Sequence, residues 1–557
     1  MTRKPSAPAD PAAAAAALAT VRRTLATTSG KRRLDAILDA PDPGALVRAL
    51  PADELYFTIR EIGLSDSVEL VQLASPRQFQ LLLDLDAWRQ GTFEPRRALP
   101  WLRAARAGVL EDDKAAARWA RKRRALDPEL VRLLLRDAVL IHDLKEDEDP
   151  EVASELTMRS PEGQFLVEFQ VEGTEYLAMR GLVDDLYAEE PFMAARVLSS
   201  IRWDLPSDLE EMSLRWRQGR LADLGIPPLE EARSWYARPP ARTAAAAANA
   251  EPPGTAARPP GFFMAPLTDG SRLAVAAAAL DAEARDLLEL QLLGAGNAVL
   301  VADGIDPVDL DEVRSAMAGA RAMVELGLGA LAGAAPAAGG PAGGEAARDA
   351  ELLATTPVKR LFQEGFGRVL ALCWRADRLV KGGGAGSRAV PLLDAPLGEV
   401  LSALSSRRPR YWTGLDLPRD AWGAAAAGAG PGRRFLTEAD LARTAEALDL
   451  AEGLAALALE HGLATRGEGA APRLSVLWLT ALCNERLGRT FAPAPIPLAE
   501  LAGVLERLRT IADRRLDGRG PAGQLLLALL EQRREELETS LDLAGGDAAA
   551  VAGLLAR

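Results

Sequence analysis

Four aspartates fall within nine residues of the segment VADGIDPVDLDE, and their layout is a candidate for metal chemistry. They are Asp303, Asp306, Asp309 and Asp311. Carboxylate oxygens are the ligands that Mg²⁺ and Ca²⁺ prefer, but the spacing is not that of an EF-hand loop. The alternative is ordinary turn chemistry, in which Gly304 ends one helix, Asp306 caps the next and Pro307 opens it. We favour the turn.

A second candidate is a tryptophan among arginines. It comprises Arg215, Trp216, Arg217 and Arg220. Guanidinium groups around an aromatic ring could bind an anion or a peptide. The alternative, which we favour, is a buried tryptophan with solvated arginines, on a helix whose apolar stripe is Leu209, Met212, Trp216 and Leu221. Ser207 and Glu210 stand three residues apart and predict a capping box at its start, and Glu211 can pair with Arg215 one turn later.

The remaining reactive residue types form no known catalytic pattern. The two histidines, His142 and His461, lack the spacing of a zinc site, and no nucleophile elbow or Walker loop is present. Cys373 and Cys483 lie far apart in apolar helical sequence, so we expect buried free thiols in a reducing cytoplasm. The basic run at 121–124 is expected to be a solvated helix face. No cofactor is expected.

Composition limits the classes of partner. A net charge of −13 argues against nucleic acid, because a binder needs a basic face to displace counterions from phosphate. No uninterrupted apolar run reaches 18 residues, so we expect no membrane insertion. Prolines and an aspartate interrupt the small-residue run near the start, which argues against an export signal.

Short amphipathic runs recur between Leu50 and Leu85, each followed by a break of one or two residues. Pro51 precedes the first run and Gly63 follows it at the position of a C-terminal cap. The second run begins near Ser65. Ser75 can cap the third, in which Pro76 is a favourable first residue. Helices this short cannot bury their apolar stripes alone, so the pattern predicts a stack.

Helical periodicity dominates the rest of the chain. We predict helices over 16–38, 95–107, 112–126, 127–144, 175–187, 191–203, 206–224, 281–301, 308–331, 346–381, 437–461, 473–487, 497–514 and 521–541. The convincing strand is 164–171, where Phe165, Val167 and Phe169 alternate, and residues 157–159 are its expected partner.

These elements define the predicted fold class and its domains. The protein is expected to be mainly α, with a flexible tail over 1–15 and an N-terminal superhelix of short stacked helices over 16–236. That superhelix should hold a small β element of two or three strands near 157–171. The Pro-, Ala- and Gly-rich stretch 237–261 predicts a flexible linker. A C-terminal helical bundle should follow over 262–557, with Ala/Gly-rich loop insertions at 332–344, 382–387 and 423–432.

Five blocks along the chain resemble an uncharacterised bacterial domain-of-unknown-function family that covers nearly the whole length. They are LYFTIREIG (55–63), ASPRQFQLLLDLDAW (74–88), LRWRQGRLADLGIPP (214–228), NAVLVADGID (297–306) and RPRYWTGLDLP (408–418). This resemblance carries no activity. The Leu-Pro and Ser-Pro starts of the front helices also resemble the N-terminal superhelical domain of MgtE-type magnesium transporters, which implies a solenoid of short helices.

Helical surfaces without a catalytic constellation favour a cytoplasmic protein–protein interaction or scaffold protein whose partner is another protein. A regulatory module that senses a divalent cation is a second hypothesis, suggested by the MgtE-like front and the acidic balance. An enzyme that uses carboxylate chemistry without histidine is a third. The sequence leaves the oligomeric state open.

Overall fold

A computed structural model describes most of the chain. The described residues are 30–89, 91–237, 267, 269–334, 343–381, 388–422, 432–463, 472–497, 500, 503–504, 511 and 513–544. The predicted tail, nearly all of the predicted linker and most of the helix predicted over 497–514 lie outside them. So do residues 382–387 and most of the other two predicted insertions. Within the described residues the protein is mainly helical, which confirms the predicted fold class.

Seven short helices open the described chain. They are α1 (Gly30–Leu38), α2 (Pro43–Ala49), α3 (Ala52–Ile62), α4 (Val68–Leu73), α5 (Pro76–Asp86), α6 (Pro95–Arg106) and α7 (Asp113–Arg124). A 3₁₀ turn over Leu64–Asp66 precedes α4. Helix α3 packs on α1 and α5, α4 packs on α2 and α6, and α7 packs on α5. This contact of each helix with the one two places along is typical of stacked helical repeats.

Local signals place α3 and α5 as the sequence predicted, whereas α4 begins at Val68 rather than near Ser65 and α2 was not predicted. Gly63 ends α3 with a φ of 101°, a conformation that glycine adopts without a Cβ penalty. Ser75 caps α5, and Gln78 completes a capping box with it. The Gln78 side chain also donates to the carbonyls of Val47 and Leu50 at 2.8 and 2.7 Å. The cap of α5 therefore ties this helix to α2 and to the residue that follows it.

Helix α5 is the centre of this stack, because every residue from Gln78 to Asp86 is buried. A helix that is buried on all sides normally lacks charged residues, because burying an unpaired carboxylate carries a large free-energy cost. Helix α5 nevertheless ends in LLLDLD, with Asp84 and Asp86 both buried. These two carboxylates must be paired by the elements around them.

The β structure includes the expected small sheet, which has three strands, and elements at positions that the sequence did not predict. Strand β5 (Phe165–Phe169) pairs antiparallel with β4 (Thr157–Arg159), as expected, and also with β3 (Val139–Asp143). The prediction of one helix over 127–144 is therefore wrong, because helix α8 (Pro128–Arg136) stops before the β-branched residues Val139 and Ile141, which lie in β3. A two-residue hairpin, β1 (Trp88–Arg89) with β2 (Thr92–Phe93), was also not predicted.

Helices after the sheet complete the packing around the stack. They are α9 (Gly173–Glu189), α10 (Pro191–Trp203), α11 (Pro206–Ala222) and α12 (Leu229–Ser234). Helix α9 packs on α6 and α10, and α11 packs on α5 and α8. The chain continues through α13 (Arg272–Ala278), α14 (Ala282–Asp303) and α15 (Leu310–Ala334), with α12 against α14.

The chain divides into two compact units, and the division falls inside α15. The first unit holds residues 1–321 and 340–358, and the second holds 322–339 and 359–557. The second unit includes α17 (Val358–Lys381) from residue 359 onward, α18 (Leu397–Ser405), α19 (Glu438–Glu460), α20 (Leu474–Arg486) and α21 (Gly520–Ala544). Helix α19 packs on α18 and α21, and α20 packs on α21.

The helix predicted over 346–381 is in fact two helices. They are α16 (Gly343–Thr355) and α17, with the break at Thr356 and Pro357. A proline disfavours the helical conformation of the residue before it and cannot donate a helical hydrogen bond. Within the second unit α15 and α17 approach closely at Gly327 and Gly365. A Cβ on either glycine would collide with a backbone carbonyl of the other helix.

Candidate functional site

Helix α11 carries the predicted arginine and tryptophan site. The helix begins at Pro206 without a side-chain cap, so the predicted capping box between Ser207 and Glu210 does not form. Ser207 instead donates to the neighbouring Asp208 carboxylate at 3.4 Å. Because Pro206 is already the first helical residue, Ser207 lies inside the helix rather than at its cap position. Leu209 and Leu221 are buried and hold α11 against the rest of the first unit.

Arg220 and Arg217 point inward to the end of α5. Arg220 Nε and Nη2 donate to Asp84 Oδ2 and Oδ1 at 2.7 and 3.0 Å, and Arg220 also pairs with Asp127 at 2.7 Å. Arg217 Nε donates to the Asp84 backbone carbonyl at 2.7 Å, and its guanidinium lies over the Trp88 ring. The prediction that these arginines are solvated is wrong for both.

Burial and ion pairing oppose each other in the electrostatics of this cluster. It raises the pKa of the Asp84 carboxyl, against the opposing effect of the Arg220 hydrogen bonds. Burial also lowers the pKa of Arg217 to about 10. For Arg220, burial acts to lower the pKa, but the hydrogen bonds to Asp84 and Asp127 outweigh it and the pKa is raised. The cluster is thus an internal ion pair with a neighbouring cation.

Arg215 and Trp216 face outward instead. The Trp216 side chain is 58% exposed and Met212 is 48% exposed, so neither belongs to a buried stripe as predicted. Arg215 and Glu211 make no ion pair with each other or with another described residue. We call the exposed stripe of this helix the α11 face, and it comprises Asp208, Glu211, Met212, Arg215 and Trp216. These positions share one side of a helix because they recur every three or four residues.

The four aspartates of residues 303–311, which we call the acidic turn, contact different partners. Asp303 accepts a hydrogen bond from the Tyr236 hydroxyl at 3.2 Å, and the exposed Asp311 pairs with Arg314 at 3.0 Å. Asp306 binds Arg97 through two hydrogen bonds of 3.0 and 3.2 Å and also contacts Arg89. Among the described residues no group of three or more acidic, histidine or cysteine side chains is placed to hold a metal ion.

The cap of the helix after this turn lies three residues later than predicted. Gly304 ends α14 in the left-handed conformation, as expected. Asp309, not Asp306, caps α15, because Asp309 Oδ1 accepts from the Glu312 amide at 3.1 Å. Asp306 accepts from the Val308 amide at 3.2 Å within the turn, while the arginines hold the rest of its carboxylate. The competing arginines explain why Asp306 is not the cap.

Arg97 connects the acidic turn to the second buried carboxylate of α5. Its Nη2 donates to Asp86 Oδ1 at 3.2 Å, and its Nε donates to the Asp86 carbonyl at 2.6 Å. The Asp86 carboxylate also accepts from the Tyr56 hydroxyl at 2.9 Å and from Trp101 Nε1 at 2.7 Å, and it pairs with Arg60. Sequence reasoning missed these carboxylates, although two acids inside an apolar run already require buried partners.

The basic run at 121–124 is only partly solvated. Lys122 is buried and its Nζ donates to the Gln72 carbonyl at 2.7 Å, in the last turn of α4. Burial lowers the pKa of Lys122 to about 8. Arg123 is also buried and pairs with Glu189, which Arg124 contacts too. A cation at a helix C-terminus suits the helix dipole, which accounts for the position of Lys122.

The histidines and cysteines occupy separate environments. His142 contacts Glu168 across the sheet at 2.8 Å, and Glu168 also accepts from the amides of Ala153 and Ser154. His461 lies edge-on to Trp478. Cys373 and Cys483 are buried and unpaired, as predicted, and burial raises the pKa of each thiol to about 12.

Comparisons with known proteins add a family. A family model matches residues 11–544, and its description is a family of unknown function, DUF6178. The searches of curated proteins and of solved structures returned no match. Within the described residues, no helix has both the length and the apolar character needed to cross a membrane.

Proposed function

Because this chain belongs to the DUF6178 family of unknown function, we propose its role from its own surface, as a non-catalytic protein–protein interaction or scaffold protein. The observation that carries the proposal is the α11 face, with Met212 and Trp216 exposed at its centre. Trp203, the last residue of α10, and Leu205, between α10 and α11, are exposed as well. Four large apolar side chains within 14 residues of sequence, each open to water, are typical of a binding surface.

The chemistry of the α11 face suits a protein partner. Tryptophan and methionine are enriched at the buried centres of interfaces, and tryptophan and arginine are frequent hot spots. Asp208 and Glu211 lie on one side of Met212 along the helix, and Arg215 lies on the other. This mixture of charges around an apolar centre matches the usual layout of a polar rim around an interface core. A net charge of −13 supports a protein rather than a nucleic acid as the partner.

The internal pairing of the acidic groups also supports this proposal over cation sensing. Asp306 already binds two arginines and Asp309 caps a helix, so neither carboxylate is held ready for an ion. We place the proposed role in the cytoplasm, because buried free thiols suit a reducing compartment.

Photo-crosslinking tests the proposal in cells of the source organism. A benzoylphenylalanine at position 212 should give an adduct that is absent when the probe stands at Leu417, an exposed apolar residue of the second unit. The crosslinked protein is then identified by mass spectrometry, purified, and titrated against the wild-type chain. The double variant Met212→Ser/Trp216→Ser should bind it at least about tenfold more weakly, whereas Leu417→Ser should not.

Two results would reject the proposal. One is that position 212 yields no adduct beyond those of position 417. The other is that the purified partner binds the double variant as tightly as the wild type.

A further inference from the structure

A cleft in the first unit has no role in the proposed function. Its volume is about 310 Å³. The last turn of α6, the turn 107–111 that follows it, Trp119 of α7 and the first half of α9 form its walls. Leu102, Ala178 and Leu182 are buried and apolar, so the interior suits a compact hydrocarbon group. The volume lies at the small end of the range for ligand sites.

A fixed guanidinium lies in the wall of this cleft. Arg106 Nε donates to Asp185 Oδ2 at 2.7 Å and Nη2 donates to Oδ1 at 3.3 Å. Trp119 Nε1 donates to the same Asp185 carboxylate at 2.7 Å. Gly181 allows this arrangement, because a Cβ there would stand 2.6 Å from Arg106 Cζ. Asp185 therefore sets the orientation of both Arg106 and Trp119 before any ligand arrives.

Donors for an anion remain in the same turn of α6. Asp185 accepts hydrogen bonds from Arg106 Nε and Nη2, whereas Arg106 Nη1 makes no hydrogen bond with a described residue. Arg103, one turn earlier, also lines the cleft, is exposed, and has no ion pair with a described residue. Residues three apart on a helix face the same way, so the two guanidiniums can approach one carboxylate.

The mouth of the cleft is apolar on two sides. Leu110 is 89% exposed and Leu177 is 64% exposed, and both line the cleft. An occupant would remove these side chains from water, which favours a ligand with an apolar body. Glu111 at the mouth adds one negative charge, so the site disfavours ligands with several anionic groups.

We propose that this cleft binds a small monocarboxylate with a compact aliphatic or aromatic body. The carboxylate binds Arg103 and Arg106 at the last turn of α6, and the body lies against Leu102, Leu182 and Leu177. The proposal stands on the cleft geometry and on the free guanidinium donors, and it does not depend on the α11 face.

Ligand-observed NMR on the full chain tests this with octanoate and 4-phenylbutyrate as probes and octanamide as the uncharged control. Wild-type protein should bind the two carboxylates at least about tenfold more tightly than octanamide. Arg103→Gln should weaken carboxylate binding by about tenfold and leave octanamide unchanged. Arg96→Gln, an exposed arginine of the same helix that does not line the cleft, should behave like the wild type. Leu177→Ser should weaken all three probes.

The proposal is overturned if neither carboxylate binds at about 10 mM, a concentration far above the micromolar Kd range of specific small ligands. Equal binding of octanoate and octanamide would also overturn it, as would an Arg103→Gln variant that binds carboxylates like the wild type.

Discussion

Arg220 donates two hydrogen bonds, of 2.7 and 3.0 Å, to the Asp84 carboxylate. The two residues lie 136 positions apart in the sequence, so this pair joins two distant helices. Asp84 lies on α5, which is buried on all sides, and Arg220 lies on α11. The pair neutralises a buried charge that would be costly without a partner, and the same contact fixes α11 against the centre of the helical stack. Trp216, one turn before Arg220 on the same helix, is exposed.

Replacing Asp84 should destabilise the first unit strongly. Asp84→Ala leaves Arg220 with Asp127 as its remaining carboxylate and removes the negative charge beside Arg217, and breaking a buried pair by removing one partner costs up to about 3–5 kcal/mol of unfolding free energy. Urea denaturation measures the loss. Arg215→Gln on the same helix is the matched control, and it should stay within about 0.5 kcal/mol of the wild type. A loss below about 1 kcal/mol for Asp84→Ala would show that the pair is not structural.

Substitutions in the acidic turn should lower stability in an order that differs from the order expected from the sequence. Asp309→Ala removes the cap of α15 and should cost about 0.5–2 kcal/mol. Asp306→Ala leaves Arg97 and Arg89 without their shared carboxylate and should cost more. Asp311→Asn should melt like the wild type. Wild-type melting that rises with millimolar Mg²⁺ or Ca²⁺, but not in an Asp309→Asn/Asp311→Asn variant, would contradict this and favour a cation site.

Acid should weaken the Asp306 contact in a defined pH range. Burial acts to raise the pKa of Asp306, but hydrogen bonds from Arg97 and the Val308 amide outweigh it, so the folded pKa is lowered. The unfolded chain then binds more protons between the lowered pKa and about 4, so stability falls as the pH falls through this range. The difference in urea midpoint between the wild type and Asp306→Asn should be largest above about pH 5 and should shrink towards pH 3. A difference that is constant with pH would refute the assignment.

Two glycines of α17 should respond oppositely to alanine. At Gly365 a Cβ would collide with the Met323 carbonyl of α15, and overpacking of this kind costs about 1–3 kcal/mol. At Gly367 a Cβ meets nothing within 4 Å, so Gly367→Ala should stabilise the helix by about 0.5–1 kcal/mol. Thermal melts of both variants measure this. Similar melting temperatures for the two would show that the helices do not approach as described.

The two thiols should be inert in the folded protein. Burial raises the pKa of Cys373 and Cys483 to about 12, so at pH 8 almost no thiolate exists to attack a disulfide reagent. We expect both to react with Ellman's reagent only after unfolding in guanidinium chloride. Rapid reaction of either thiol without denaturant would place it at the surface.

The sequence by itself determined the family, the helical class and most helix boundaries, because these depend on signals only a few residues apart. Ser75 with Pro76 starts α5, Gly304 ends α14, and alternation in 165–169 forms β5. The sequence also singled out both groups of candidate residues by residue type. The boundary errors occurred where a local signal was overlooked, as at Pro357, or where pairing partners decided, as for β3.

Tertiary structure decided whether each candidate side chain points into the protein or towards solvent. Helical periodicity assigns residues to faces but does not say which face meets a partner, so Trp216 was assigned to the core and Arg220 to solvent. The buried Asp84 needs a partner, because an unpaired carboxylate in the interior is costly, and Arg220 supplies that partner from α11. In the same way Arg97 and Arg89, more than 200 residues from Asp306, take its carboxylate and leave the cap of α15 to Asp309.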